Sequence, residues 1–177
     1  EAMGPEHEKP KDGSRFHEEM DRLAHFRPPA VLLPHGTVGN SASGIAPDLS
    51  NGKFGPFKEQ LFVADQTHSV INRCFLEKIN GYYQGACFPF VKGFGSGNVP
   101  VVQAPDGSLF SGGTDRGWGA RGGKRYALDR VVWTGKTPFE ILEMRIQKDG
   151  FELEFTKPVD KTSAESLDSY DMKTHTY

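Results

Sequence analysis

The spacing of hydrophobic residues along the chain changes at about residue 28. Before it, residues 15–26 follow Ser14, a residue type that favours helix N-caps, and carry apolar side chains at helical intervals: Phe16, Met20, Leu23 and Phe26. A short amphipathic helix is predicted here. It should end before Pro28, because the residue that precedes a proline disfavours the α conformation. Residues 1–13 are polar and predict a linker.

After residue 28 the pattern is that of short β-strands joined by turns. Glycine (21 residues) and proline (12 residues) are frequent, as expected for many turns. Strands are predicted over residues 59–65, 70–79, 82–90, 99–103, 108–112, 126–134 and 151–155. A helical turn over 163–169 and a last strand over 170–177 are also predicted. The fold class is therefore all-β with a short N-terminal helix.

The dipeptide Asn80-Gly81 predicts a two-residue hairpin turn, because both central positions of a type I′ turn need positive φ. If Ile79 faces Tyr82, paired residue numbers sum to the same value along the hairpin. Cys74 then lies directly opposite Cys87. Counted outward from the turn, the two cysteines fall on a non-hydrogen-bonded pair of the hairpin. The Cα atoms of such a pair are about 4.5 Å apart, a distance that a disulfide tolerates. A bulge at Gly85 would break this register.

Two stretches, residues 36–93 and 94–143, share one layout of turn, short apolar strand, loop and longer strand. A repeat of about 50 residues with several strands per unit is typical of β-propeller blades. A generic meander or sandwich is the alternative. The predicted organisation is a polar linker and helix over 1–27, two blades over 28–143, and the start of an Ig-like sandwich over 144–177.

Several motifs resemble the late blades of glucose/sorbosone dehydrogenase-like propellers, six-bladed relatives of soluble quinoprotein glucose dehydrogenases. They are Pro29–Pro34, Ser43–Pro47, Glu59–Asp65, Val70–Arg73 and Ala104–Phe110. A second set resembles a subgroup in large secreted bacterial proteins: Asn80–Phe90, Arg116–Gly119 and Trp133–Glu140. In that subgroup an Ig-like segment follows the propeller, and Asp149–Asp160 resembles it. The likeness covers residues 28–177, about a third of a full propeller.

The resemblance implies sugar oxidation with pyrroloquinoline quinone and calcium, but the cations that hold the quinone are not matched. Thr67 stands where quinone-binding members have a lysine, and Gly97 and Val99 where they have an arginine pair. We therefore expect no cofactor and a non-catalytic binding or structural module of a larger periplasmic or extracellular protein. The alternative is a C-terminal fragment of a quinone-dependent aldose or sorbosone dehydrogenase. Two blades cannot bury their faces alone, so the expected partner is the remaining blades or another chain.

Net charge and hydropathy argue against nucleic acid as a partner and against a membrane-spanning segment. The net charge of −2 gives no electrostatic footprint for nucleic acid, and no apolar run is long enough to span a membrane. Gly117–Gly122 matches the dinucleotide-binding glycine pattern, but a predicted strand follows where a helix is required, so an inter-strand loop is favoured.

Two sets of candidate site residues lie in predicted loops. Asp65 ends a predicted strand and His68 follows it, while His35 lies in another loop; such loops would converge at one end of a propeller, where the three residues could meet at a ligand or metal. The alternative is ordinary exposed or hydrogen-bonded loop histidines. Trp118, flanked by Arg116 and Arg121, offers a flat apolar face beside planar cations, which suits carbohydrate or a protein partner. Its alternative is a tryptophan packed between blades.

The register predicts a Cys74–Cys87 disulfide in an oxidising compartment. Thiol titration of protein that has been denatured without reduction should then find no free thiol. Finding both thiols free would rule the bond out.

Overall fold

The structure, a computed structural model, describes residues 8–173. These divide into two compact units, which are described separately. Residues 30–158 form the larger unit. Residues 8–29 and 159–173 form the smaller one.

The smaller unit contains the helical segments. Helix α1 spans Phe16–Arg22 and confirms the predicted helix, although its N-cap is Arg15. Ser14 instead donates its hydroxyl to the Lys11 carbonyl. Helix α2 spans Lys161–Glu165 and a 3₁₀ turn spans Leu167–Ser169, which confirms the predicted helical turn. Residues 170–173 form no strand, contrary to the prediction; 174–177 lie outside the described residues.

The larger unit is built of nine strands in antiparallel sheets, which confirms the all-β class. Their bounds are β1 Ala42–Pro47, β2 Leu61–Asp65, β3 Val70–Ile79, β4 Tyr82–Lys92, β5 Asn98–Gln103, β6 Leu109–Thr114, β7 Tyr126–Val131, β8 Ile141–Gln147 and β9 Gly150–Phe155. The first sheet has the order β1-β2-β3-β4 and the second the order β5-β6-β7. Strands β8 and β9 pair as a separate hairpin.

Strands β1 and β8 were not predicted. Strand β1 consists mostly of small residues, with Ile45 as its one large apolar side chain, so it has no apolar run. Strand β8 mixes four apolar residues with glutamate and arginine in no clear alternation. It also runs through the boundary expected between residues 143 and 144. The proposed division into blades and an Ig-like segment stays a prediction.

The first three strands of the two sheets pair in the same register. Both β1–β2 and β5–β6 contain an irregularity near their start, between Ala42 and Ile45 and between Asn98 and Val101. Superposing the pairing partners gives five equivalent pairs: Ala46 and Val102, Phe62 and Phe110, Ala64 and Gly112, Ile71 and Leu128, and Arg73 and Arg130.

The hydrophobic core lies between the two sheets. The first sheet contributes side chains from β1, β2 and β3, and the second sheet contributes Val101 and Leu109. Phe62 and Ile71 have no exposed surface and belong to this core. Strand β5 contacts β1 and β2, whereas β8 contacts β3 and β4. Together they cover the first sheet along its width.

The β3–β4 hairpin has the predicted turn and register. Asn80 and Gly81 have φ values of 50° and 88°, as a type I′ turn requires. Cys74 pairs with Cys87, and the register shift lies farther along, next to Ile71, and not at Gly85. Cys74 and Cys87 are free cysteines, without a disulfide between them. Tyr83, near the turn of this hairpin, is exposed.

Hydrogen bonding to Cys87 lowers the pKa of Cys74, although burial opposes this, and the Arg73 cation adds to the lowering. A lower pKa raises the thiolate fraction of Cys74, and the thiolate is the form that reacts in disulfide formation. The disulfide itself stays a prediction.

A buried cation joins the first sheet to β8. Arg73 is 1% exposed and donates to the carbonyl oxygens of Ile141 (2.6 Å) and Leu142 (2.8 Å). It also donates to the side chain of Gln60 and lies within 4.6 Å of the ring centres of Phe57 and Phe88. Burial lowers the pKa of Arg73 to about 10, and nearby Glu140 partly offsets this. The guanidinium stays charged at neutral pH.

Replacing this cation should uncouple β8 from the first sheet. Arg73→Met keeps much of the side-chain volume but leaves two carbonyl oxygens without their donor, so the free energy of unfolding should fall by about 3 kcal/mol. Arg130→Met is the matched control, because Arg130 is equivalent in register but half exposed, and its ion pair with Asp106 is a surface pair worth less than about 1 kcal/mol. Urea unfolding measures both. Equal losses in the two variants would contradict this account.

Candidate functional site

Four connections of the larger unit lie at the same end of the sheets, because the strands are antiparallel. They are residues 34–41 before β1, 66–69 between β2 and β3, 93–97 between β4 and β5, and 115–125 between β6 and β7. We call this set the loop end. Candidate residues of both predicted sets lie here.

Asp65, at the last position of β2, is the structural centre of the loop end. It has no exposed surface. One carboxylate oxygen accepts the backbone N–H groups of Asn40 (2.7 Å) and Ser41 (2.8 Å), and the other accepts the N–H of His68 (2.7 Å). Burial on its own would raise the pKa of Asp65, but these three donors hold that pKa below its usual value. The buried carboxylate therefore links the 34–41 loop to the 66–69 turn through hydrogen bonds and is not accessible to a ligand in solution.

The two candidate histidines lie in the loops that Asp65 holds. His35 is exposed in the 34–41 loop, and His68 is buried in the 66–69 turn. Asn72 supports the same region by donating its side-chain amide to the Val38 carbonyl (3.1 Å). Within residues 8–173, no cluster of three or more His, Cys, Asp or Glu side chains has a geometry that suits a metal ion.

The 115–125 loop is fixed along its backbone to the neighbouring turn. Gln66 donates its side-chain amide to the Thr114 carbonyl (3.1 Å) and the Gly119 carbonyl (3.3 Å). In return, the N–H of Arg121 donates to the Thr67 carbonyl (3.1 Å) and that of Gly122 to the Ser69 hydroxyl (3.0 Å). The contacts place Arg121 beside the turn that carries His68.

The side chains of this loop, in contrast to its backbone, point outward. Trp118 is 80% exposed among the described residues; packing between blades stays the alternative. Arg116 has a φ of 55° and is followed by Gly117 and Gly119, both in the left-handed region. This backbone carries Trp118 away from the sheets at the tip of the loop.

Cationic side chains dominate the exposed surface of the 115–125 loop. Arg116, Arg121, Lys124 and Arg125 are all exposed. Three carboxylates, those of Asp65, Asp115 and Asp129, accept backbone N–H groups at the loop end; Asp115 accepts that of Gly117 (2.9 Å) and Asp129 that of Gly95 (3.1 Å). The surface is therefore positive although the whole chain is slightly negative.

The positions that the resemblance assigns to quinone binding do not fit a cationic cradle. The hydroxyl of Thr67 is hydrogen-bonded to that of Ser41 (3.0 Å). Gly97 is enclosed: a Cβ there would lie 2.7 Å from the Thr114 carbonyl oxygen and closer still to that of Gln66. A longer cationic side chain at Gly97 would require the backbone to move.

Sequence reasoning identified Trp118 and its two arginines but missed the residues that fix them. Lys124 and Arg125 follow in the same run and could have been included from composition alone. Gln66 gave no signal, because its role depends on two carbonyl oxygens far along the chain.

Comparisons with known proteins do not identify a family for this chain. Separately, no helix within residues 8–173 is long and apolar enough to cross a membrane. No family model, curated protein or solved structure matches this chain.

The Asp65 carboxylate should stabilise the fold in a pH-dependent way. Its pKa is lower in the folded state, so its contribution is present above the unfolded value of about 4 and is lost as the pH falls through the folded value. Asp65→Asn should therefore reduce the free energy of unfolding at pH 7 by about 2 kcal/mol, with a smaller difference at pH 3. Urea unfolding at the two pH values measures this. An equal difference at both would contradict the role assigned to the charge.

Proposed function

We propose that this chain is a non-catalytic binding or structural module of a larger secreted or periplasmic protein. In this proposal its two sheets are β-propeller blades, and a further sheet of the same protein or of another chain packs against the second one. The first sheet is a four-stranded antiparallel meander, the arrangement of a propeller blade. The second sheet repeats the register of its first three strands.

The observation that carries the proposal is an exposed apolar face on the second sheet. This outer face is formed by alternate residues of β5, β6 and β7: Val102, Phe110, Tyr126, Leu128 and Arg130. Val102 is 60% exposed, Tyr126 70% and Leu128 76%. The solvent-facing side of an antiparallel sheet is normally polar. A group of large apolar side chains there marks an interaction surface.

The equivalent face of the first sheet shows what covers such a surface. Ile71 has the same place in the register as Leu128, and Phe62 the same place as Phe110. Both are fully buried, in the core cluster that also includes Val101 and Leu109 of the second sheet. The occupant that suits the outer face is therefore a third antiparallel sheet, stacked on the second as the second is on the first. This head-to-tail stacking is how propellers and other repeat proteins bury their sheets.

The alternative enzyme function has less support from these residues. Thr67 and Gly97 supply no cation for a quinone, and Gly97 has no room for one. Reconstitution of the native gene product with pyrroloquinoline quinone and calcium should give no aldose oxidation in a dye-linked assay. Oxidation that depends on the quinone would contradict the non-catalytic function.

The outer face can be tested with Leu128→Lys. Because Leu128 is exposed in this chain, the variant should change the free energy of unfolding of the isolated 177 residues by less than about 0.5 kcal/mol at concentrations low enough to keep them monomeric. In the native gene product, where a third sheet would cover position 128, the same change should lower the melting temperature by several degrees, roughly what 1–3 kcal/mol produces.

Leu167→Lys is the matched control, because Leu167 is 87% exposed and is not one of the residues that form the outer face. It should be neutral in both proteins. A neutral Leu128→Lys in the native gene product would show that no sheet covers the outer face.

A further inference from the structure

The 115–125 loop is an addition to the structural repeat. The equivalent connection in the first sheet is the short turn at 66–69, between strands whose pairing is matched residue by residue in the second sheet. The strands therefore do not require the extra length of the second connection. In repeat proteins, insertions confined to one unit project from one face and often form its binding surface.

The backbone of this loop is ordered before any ligand arrives. Beyond its bonds to residues 66–69, the N–H of Lys124 donates to the Gly95 carbonyl (3.0 Å) and that of Asp115 to the Arg125 carbonyl (3.1 Å). The side-chain carboxylate of Asp115 also accepts a hydrogen bond from the backbone N–H of Gly117. A fixed backbone reduces the conformational entropy lost on binding. This framework holds side chains that are themselves exposed.

We infer that the 115–125 loop binds an acidic carbohydrate, with the indole of Trp118 under the C–H face of one sugar ring and Arg116 and Arg121 paired with its carboxylate or sulfate groups. This inference rests on the proposed binding module and names its ligand class. An exposed indole supplies a flat apolar platform of about the size of one ring, and a guanidinium group can donate two parallel hydrogen bonds to a pair of oxygens on one oxyanion, whether planar or tetrahedral.

The charges of the loop end select an anionic ligand over a neutral one. Its exposed charged side chains in residues 115–125 are the four cations, while Asp65 and Asp115 are occupied by backbone N–H groups. Nucleic acid is disfavoured because a net charge of −2 provides no extended positive field. An acidic peptide would use the arginines but has no sugar ring to cover the indole.

The test uses the native gene product and four probes: oligogalacturonate, a sulfated chondroitin oligosaccharide, a neutral galacto-oligosaccharide and poly-glutamate. Tryptophan fluorescence and calorimetry follow binding. At least one acidic sugar should bind more tightly than the neutral sugar and poly-glutamate by about tenfold or more, and its affinity should fall as salt is raised. The preferred acidic sugar indicates whether carboxylate or sulfate is recognised.

Variants assign the roles of the side chains. Trp118→Ala should lower the affinity for the acidic sugar by about tenfold. The double variant Arg116→Gln with Arg121→Gln should bind the acidic sugar no more tightly than the neutral sugar. Tyr83→Ala and Lys58→Gln are the controls, because Tyr83 and Lys58 are exposed but lie outside the loop end. Both controls should leave the affinity unchanged.

Three results would overturn the inference. They are no binding of either acidic sugar, binding that Trp118→Ala leaves unchanged, and poly-glutamate binding as tightly as the sugars, which would indicate an acidic peptide. None depends on the third sheet: the effect of Leu128→Lys on the melting temperature tests the module by itself, so the two proposals fail separately.

Discussion

The structure depends on one physical constraint: a β-sheet with apolar side chains on both faces must be covered on both. The second sheet meets this constraint on one side only. Val101 and Leu109 are buried against the first sheet, whereas Val102 and Phe110, one residue farther along, point away from it. A side-chain period of two makes this division unavoidable once the register is set. The exposed apolar face is thus a consequence of the pairing.

Two devices fix the register on which this division depends. The Asn80-Gly81 turn sets the pairing of β3 with β4, and the repeated irregularity at the start of β1 and β5 gives both sheets the same geometry. Arg73 then ties the first sheet to β8 through backbone carbonyls. At the loop end, Asp65 ties two connections together, and the 115–125 loop rests on one of them. Rigid sheets thereby support a fixed, positively charged loop.

The sequence predicted what is local and missed what is long-range. Strands β2, β3, β4, β6 and β9 were found because each contains an apolar run or a clear alternation, and the hairpin was found because its turn chemistry is specific. Strands β1 and β8 lack both signals. They form because of their packing against other strands, which the local sequence does not indicate. The linking roles of Arg73 and Gln66 could not be predicted, because their partners are carbonyl oxygens distant in sequence, which carry no residue-specific signal. The exposed loop position of Trp118 and its arginines was predicted because the glycine-rich composition around them indicates a loop.

The hydrodynamic and thermal behaviour of the isolated 177-residue chain tests the central claim most directly. If the outer face of the second sheet is built to be covered, sedimentation should show association that grows with concentration, and the thermal transition should shift with it. A chain that stays monomeric at all concentrations and melts in one sharp cooperative transition would contradict the claim, because the two sheets would then form a complete fold unaided.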